Sequence, residues 1–263
     1  RKLSQSKTIN NLFKIMDLIS IILPYYKKKK FIDQTIKSIL SQSYKKFELI
    51  IIYDDSDKTD LFFLKKLIKN NSKIKIVINK NNKGAGRSRN IGLSMSKGSY
   101  ICFIDADDIW TKNKLRIQIN FMKKNKLPIS CTSYKVINEQ NKIISHRKSY
   151  KSLNYSTLLK DCNIGLSTVM LDSSILKNKL NFPNLKTKED FVLWLKISKT
   201  TNIAGISQFL SYWRDTKNSL SKNIVQKIFD GYRVYRIHMD MSIAKSIYFL
   251  VFLCMKHLIK KLN

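Results

Sequence analysis

YICFIDADD, residues 100–108, decides the reading of this chain. Tyr100 to Ile104 are apolar, aromatic or β-branched, as expected for a strand buried on both faces. Three carboxylates, Asp105, Asp107 and Asp108, follow at once. In an open parallel sheet, ligands bind in the crevice beyond the carboxyl ends of the strands. Acids placed there are candidates for chemistry. Asp105 and Asp107 are spaced so that both can approach one hard cation through oxygen, as Mg²⁺ or Mn²⁺ requires. Such an ion would bridge to phosphate oxygens and stabilise a departing diphosphate.

Working outward, the same architecture repeats upstream. Leu18 to Leu23 (LISIIL) reads as a buried strand stopped by Pro24, and Phe47 to Tyr53 (FELIIIY) and Ile74 to Ile78 (IKIVI) read as two more. Between them, Phe31 to Gln42 places Ile32, Ile36, Ile39 and Leu40 at helical spacing, and Leu61 to Ile68 makes a second helix. This alternation predicts a parallel sheet with crossover helices. Downstream the pattern loosens. Trp110 to Lys124 reads as a helix, and Ile129 to Ile144 as a hairpin around Asn138 to Asn141. Tyr155 to Leu159, Leu166 to Leu171 and Glu189 to Ser198 read as helix, strand and helix, and two helices with a basic, apolar tail follow Ile224. The expected fold is α/β, a mostly parallel nucleotide-binding sheet flanked by helices, with a small antiparallel portion. We divide the chain into an N-terminal extension (1–17), one domain (18–221) and a C-terminal helical extension (222–263).

The formal charge is +32, from 50 basic and 18 acidic residues. Only eight of the basic residues are Arg, and the Lys are scattered among Asn and Ile. A nucleic-acid reader would use Arg forks and clustered basic or aromatic surfaces, so no specific nucleic-acid partner is expected. Attraction to nucleotide phosphates or to an anionic membrane surface fits the charge. No stretch approaches the roughly 18–20 apolar residues of a membrane span; the longest candidate, Ile247 to Met255, is flanked by Lys245 and Lys256. No signal peptide is visible in a chain that starts at Arg1. Cys102, Cys131, Cys162 and Cys254 form no CxxC pair, and His146, His238 and His257 lie far apart, which disfavours a zinc site or a Ser-His-Asp triad. The chemistry falls to carboxylates.

Half of the acids sit in three clusters: Asp54, Asp55, Asp57 and Asp60; Asp105, Asp107 and Asp108; and Glu189 with Asp190. Packed like charges repel, so such clusters call for a cation or a catalytic role. For the first cluster, ordinary turn and cap preferences explain the pattern equally well. Glu189 and Asp190 also suit a first helical turn by the macrodipole alone. Four of the seven glycines, Gly84, Gly86, Gly92 and Gly98, lie close together. In KGAGRSRNIG (residues 83–92), helix-start amides with Arg87 or Arg89 could receive phosphate oxygens. The segment has neither the Walker pattern nor GxGxxG spacing, which disfavours a P-loop NTPase and a Rossmann dinucleotide site. Trp110 and Trp194 are candidates to stack on sugar rings, with core packing the competing reading.

Taken together, four stretches resemble family 2 glycosyltransferases, which have the GT-A fold. They are ISIILPYYKKKKFIDQTIKSILSQSYKKFELIIIYDDS (19–56), NKGAGRSRNIGLSMSKGSYICFIDADDIW (82–110), TKEDFVLWLKI (187–197) and YWRDTKNSLS (212–221). The resemblance implies an inverting, Mn²⁺- or Mg²⁺-dependent transfer of a sugar from a nucleotide-diphosphate donor, UDP-linked, to a hydroxyl of a glycan or glycolipid acceptor. It implies bacterial surface polysaccharide synthesis, in the cytoplasm or at the inner face of the cell membrane with peripheral membrane association. Pro24 and Tyr26 would line the nucleoside pocket, with Asp54 or Asp55 on the base and Arg89 near the pocket or the phosphates. Asp105 would contact ribose or metal, and Asp107 would coordinate the metal. Asp190 would be the general base, and Arg214 would lie in a loop closing over the donor. Two departures stand out. Tyr53 occupies the register of the family's usual first Asp, which leaves the base contact open between Asp54 and Asp55. Thr216 stands where many relatives carry a His. The alternatives are a metal-dependent nucleotidyltransferase and a non-catalytic basic binding protein.

Overall fold

The alternating apolar runs build the first half of the chain as a parallel sheet with crossover helices. The computed structural model describes residues 17–69, 71–178, 180–217 and 223–262. Its first elements are β1 (Ile19–Tyr25), α1 (Lys29–Leu40), β2 (Phe47–Tyr53), α2 (Lys58–Leu67), β3 (Ile74–Ile78), α3 (Ala85–Met95) and β4 (Tyr100–Phe103). β1 runs through Pro24 instead of stopping before it. Pairing with β4 ends at Ile22 opposite Phe103, while pairing with β2 continues to Tyr25. The missing proline N–H therefore falls where no strand needs it.

The second half comprises β5 (Ile109–Trp110), α4 (Lys114–Lys124), β6 (Ile129–Ile137), β7 (Ile143–Arg147), β8 (Ser152–Leu153), α5 (Tyr155–Lys160) and β9 (Met170–Asp172). It continues with α6 (Glu189–Ser198), β10 (Ile203–Arg214), α7 (Ile224–Arg233) and α8 (Ile243–Leu262). The strand order is β3-β2-β1-β4-β9-β6-β10-β5, with β7 on β6 and β8 on β10. β9 is antiparallel to both β4 and β6, and β6 is parallel to β10. Six strands, β1 to β4, β6 and β10, therefore point the same way and present their carboxyl ends along one edge.

Three local expectations are corrected. The stretch expected as one helix from Trp110 is split, with Trp110 in β5 against β10 and the helix starting at Lys114. Leu166 to Leu171 is a 3₁₀ turn over Leu166–Thr168 followed by the short β9. The twelve-residue β10 was not expected at all. Gly205, Ser207 and Gln208 interrupt its apolar pattern, and its register against β6 shifts twice near Phe209. Such irregularities erase the period-2 signal.

Two buried clusters cover the faces of the sheet. One joins Ile22, Phe103 and Leu171 to Phe191 and Trp194 of α6; the other joins Ile21 and Ile51 to Ile36 of α1 and Ile119 of α4. A Cβ at Gly92 would lie 2.5 Å from a methyl carbon of Ile22, so glycine lets α3 press onto β1. Val234, Tyr235, Met239 and Leu253 belong to the first cluster, so the C-terminal helices share the core of the sheet. Asp230 of α7 is fully buried and accepts hydrogen bonds from the Thr187 amide (2.9 Å) and hydroxyl (3.0 Å), just ahead of α6. Nearly all of the expected N-terminal extension, residues 1–16, and the expected boundary at 221/222 lie outside the described residues. Among the described residues no helix is long and apolar enough to cross a membrane.

Candidate active site

The carboxyl edge of the sheet gathers all three acidic clusters, but each carboxylate has a different task. Tyr53, which replaces the expected Asp, stacks on Tyr25 at 5.1 Å, and its hydroxyl donates to the Asp57 carbonyl. Tyr25 in turn donates to Asp60 at 2.7 Å. The pair clamps the turn that carries Asp54 and Asp55. The Asp54 carboxylate accepts from the Asn79 side chain (2.6 Å) and from the amides of Lys83 and Gly84 (both 2.8 Å). Those amides are the helix-start donors that the sequence offered to phosphate, and Asp54 already occupies them. Asp55 accepts from the Lys27 amide at 2.9 Å and more weakly from Asp57 at 3.3 Å, so it retains more free acceptor capacity. Of the two carboxylates between which the sequence leaves the base contact open, Asp55 is the less engaged within the protein. Tyr26, just after β1, is 45% exposed.

Arg89, on α3, is 4% exposed and forks between two acids. One nitrogen donates to Glu189 at 2.5 Å and the other to Asp105 at 2.7 Å. It thereby ties the end of β4 to the start of α6. This buried guanidinium is committed to protein carboxylates, not exposed toward a diphosphate. Lys188, in the left-handed conformation (φ 63°), turns the chain into α6, so that Glu189 and Asp190 form the first turn. Burial, only partly offset by Arg89, pushes Glu189 up to about 7, and burial likewise raises Asp190 above the usual carboxylate range.

Asp107 lies 2.6 Å from the Lys28 ammonium, which also donates to Thr216 at 3.1 Å. Lys28 therefore sits where a cation would meet Asp107 and also holds the residue that stands in the family's His position. Asp108 is 1% exposed, accepts from Ser167 (2.5 Å) and the Arg214 amide (2.9 Å), and is raised well above its ordinary pKa by burial and by Asp107. Arg214 ends β10 and is 2% exposed. Its side chain donates to the Asp107 carbonyl, the Asn138 carbonyl, Asn141 and Gln34 at 2.7–3.0 Å, and it packs on Phe31. Arg214 thereby staples the acidic loop to the end of β10. Four of its five donors are spent within the protein.

Asp105, Asp108 and Asp190 line one cavity of about 190 Å³ together with Tyr134, Ser167 and Trp213. Pro24, Tyr26, Asp54 and Asp55 lie along the same sheet edge but are not among its lining residues. Trp110 (2% exposed) and Trp194 (fully buried) are core residues, so core packing wins over sugar stacking for both. Tyr134 and Trp213 are the aromatic residues of the cavity wall, and nothing in YWRD marks Trp213 for that place. Lys28 was hidden in a run of four lysines, and nothing in the sequence separates it from its neighbours.

The donor set suits a hard divalent cation. Asp105 and Asp107 offer only oxygen ligands, and burial and the charge of Asp105 raise Asp107 even with Lys28 in contact, a repulsion that a cation would relieve. Among the described residues no group of three or more Asp, Glu, His or Cys could hold a metal by itself. Further ligands would have to come from phosphate and water.

A profile of the family described as "Glycosyl transferase family 2" matches residues 20–181. Among relatives, "UDP-Glc:alpha-D-GlcNAc-diphosphoundecaprenol beta-1,3-glucosyltransferase WfgD" of Escherichia coli is 37% identical, over 89% of this chain and 91% of its own. WfaP of Escherichia coli, which bears the same enzyme description, is 40% identical over 79% of this chain and 81% of its own. Among solved structures, residues 1–349 of S. aureus TarS in complex with UDP-GlcNAc superpose with a TM-score of 0.72 at 21% identity, covering 92% of this chain and 72% of that one. The mannosyltransferase PcManGT from Pyrobaculum calidifontis, in complex with GDP-Man and Mn²⁺, gives 0.65 at 12% identity, covering 88% and 69%. These two likenesses establish the fold. The nucleotidyltransferase and non-catalytic alternatives fall away, because both the matched profile and the extended sequence identity place this chain in glycosyl transferase family 2, a glycosyltransferase with the GT-A fold.

Proposed function

We propose that the chain transfers a sugar from a UDP-sugar, with inversion, to a hydroxyl of a lipid-linked glycan at the inner face of the cell membrane. The observation that carries this reading is the convergence of Asp105 and Asp190, from β4 and α6, on one cavity braced by the Asp105–Arg89–Glu189 bridge. The relatives support the substrates: WfgD is named for UDP-Glc and a diphosphoundecaprenol acceptor, and TuaG of Bacillus subtilis, 32% identical, is named a putative teichuronic acid biosynthesis glycosyltransferase.

In this mechanism Asp55 accepts from the base, with Pro24 and Tyr26 beside the nucleoside. Asp105 and Asp107 would hold Mn²⁺ or Mg²⁺, which would supply positive charge against the leaving diphosphate. Trp213 forms an aromatic wall against which a sugar ring can lie. Asp190 takes the proton of the acceptor hydroxyl as its oxygen bonds the anomeric carbon, and the bond from that carbon to the diphosphate oxygen breaks. Arg89 holds Asp105 and α6 in register, and Arg214 fixes the loop carrying Asp107 and Asp108. Incubation with UDP-sugars, Mn²⁺ and a lipid-diphosphate sugar acceptor should release UDP in step with glycosylated lipid. Release of sugar 1-phosphate in place of UDP, or of no nucleotide at all with any UDP-sugar, would sink this reading.

Lys28 carries a separate expectation. Its ammonium holds Asp107, so a cation bound by that carboxylate would compete with it. Lys28→Met should tighten Mn²⁺ binding to the nucleotide-free protein by about fivefold, read from the free-Mn²⁺ electron paramagnetic resonance signal. An unchanged affinity would mean that Lys28 does not compete for this carboxylate.

A further inference from the structure

The C-terminal helices contain apolar surface that the core does not use. On α7, Ile224, Val225, Ile228 and Phe229 form one stripe and are 46–78% exposed. Asp230 and Gly231 turn to the opposite, buried side. α8 repeats the arrangement: Ser246 and Leu253 face inward, while Ile247, Val251, Met255 and Leu258 recur at helical spacing and are 50–60% exposed. α8 is therefore apolar on its inner and outer sides, which is unstable against water unless something covers the outer one.

The charge around these stripes selects the cover. Residues 223–262 contain seven Lys and Arg (Lys227, Arg233, Arg236, Lys245, Lys256, Lys260 and Lys261) against two acids, Asp230 and Asp240. Asp230 is fully buried, and α8 carries no acid at all. A second copy of this face would set cation against cation in a chain of charge +32. An anionic bilayer offers both apolar depth and negative charge, and no described helix is suited to cross it.

We infer that α7 and α8 form a docking face that lies on the surface of an anionic phospholipid bilayer, with the outer stripes dipping below the headgroups. This rests on the proposed membrane-side function only for its biological purpose. The apolar stripes and their charge stand without it. Docking on α7 also places the membrane on the side of the helix opposite Asp230, so that the bilayer and the entry to α6 are held by two faces of one helix.

The test is flotation of the full chain with vesicles of phosphatidylglycerol and phosphatidylcholine, against phosphatidylcholine alone. The intact protein should float with the anionic vesicles and remain below with the neutral ones. Phe229→Glu and Val251→Glu, both at exposed positions, should each lower the partition coefficient by about tenfold or more, with thermal stability unchanged. Asp190→Asn should float like the parent, so loss of sugar transfer and loss of docking are read separately. Protein that stays below with both vesicle types would overturn the inference. So would a dimer seen by light scattering that both glutamate variants dissolve, which would assign the face to a second copy.

Discussion

Asp190→Asn should lower kcat by about a thousandfold, within the range expected for loss of a general base, while the dissociation constant for the UDP-sugar changes less than twofold. The substitution keeps the shape of the first turn of α6, where Asp190 accepts from the Phe191 amide at 2.8 Å, and removes only the basic oxygen. The pH profile supplies an independent check. Burial raises Asp190 above the ordinary carboxylate range, so the fall of kcat/KM as the pH drops and the base gains its proton should set in at a higher pH than for an ordinary carboxylate. In Glu189→Gln, Arg89 keeps its charge near Asp190 and loses one competing acid. The acid limb should therefore move to lower pH. A kcat retained within tenfold in Asp190→Asn would remove this residue from the chemistry.

The second large effect concerns Arg89. Replacing it with Met strands Asp105 and Glu189 without their shared cation, and breaking a buried pair in this way costs about 3–5 kcal/mol. The loss should depend on pH in a defined direction. Without the guanidinium, the folded-state pKa of Glu189 rises beyond about 7, further above its unfolded value. A carboxyl raised on folding loses stability as the pH climbs toward and through its folded pKa. The melting temperature of Arg89→Met should therefore lie further below that of the parent at pH 8 than at pH 5. Sugar transfer should fall about a hundredfold or more, because Asp105 and Asp190 lose their common brace. Arg89→Lys, which keeps the charge but cannot fork to both acids, should fall between the two in stability. A melting temperature for Arg89→Met equal to that of the parent at both pH values would show that the bridge carries no such weight.

The sequence made the parallel half of the fold readable because each buried strand there is an unbroken apolar run. FELIIIY and IKIVI have the same ends in the structure as in the reading. The mixed half was harder. β10 is interrupted by Gly205 and Gln208, and β9 has only three residues, so neither carries a period long enough to see. The carboxylates of the site were legible as clusters at strand ends. Their division of labour was not, because it depends on who donates to whom. Asp54 looks as available as Asp55 until the amides of Lys83 and Gly84 are found on it. Arg214 and Arg89 were visible as cations near the site, but only folded geometry shows their donors turned to protein oxygens. Trp213 and Lys28 lay inside stretches already quoted for other residues.

The grip of Asp230 on Thr187 changes what counts as dispensable in this chain. A carboxylate sealed from water and aimed at the threshold of the helix bearing the proposed base makes the tail a hinge-pin, not an appendage. Shortening the protein at the end of its sheet to improve its handling would draw that pin and let the proton-accepting group swing. The shortened enzyme would then report on a loosened machine, whatever its solubility.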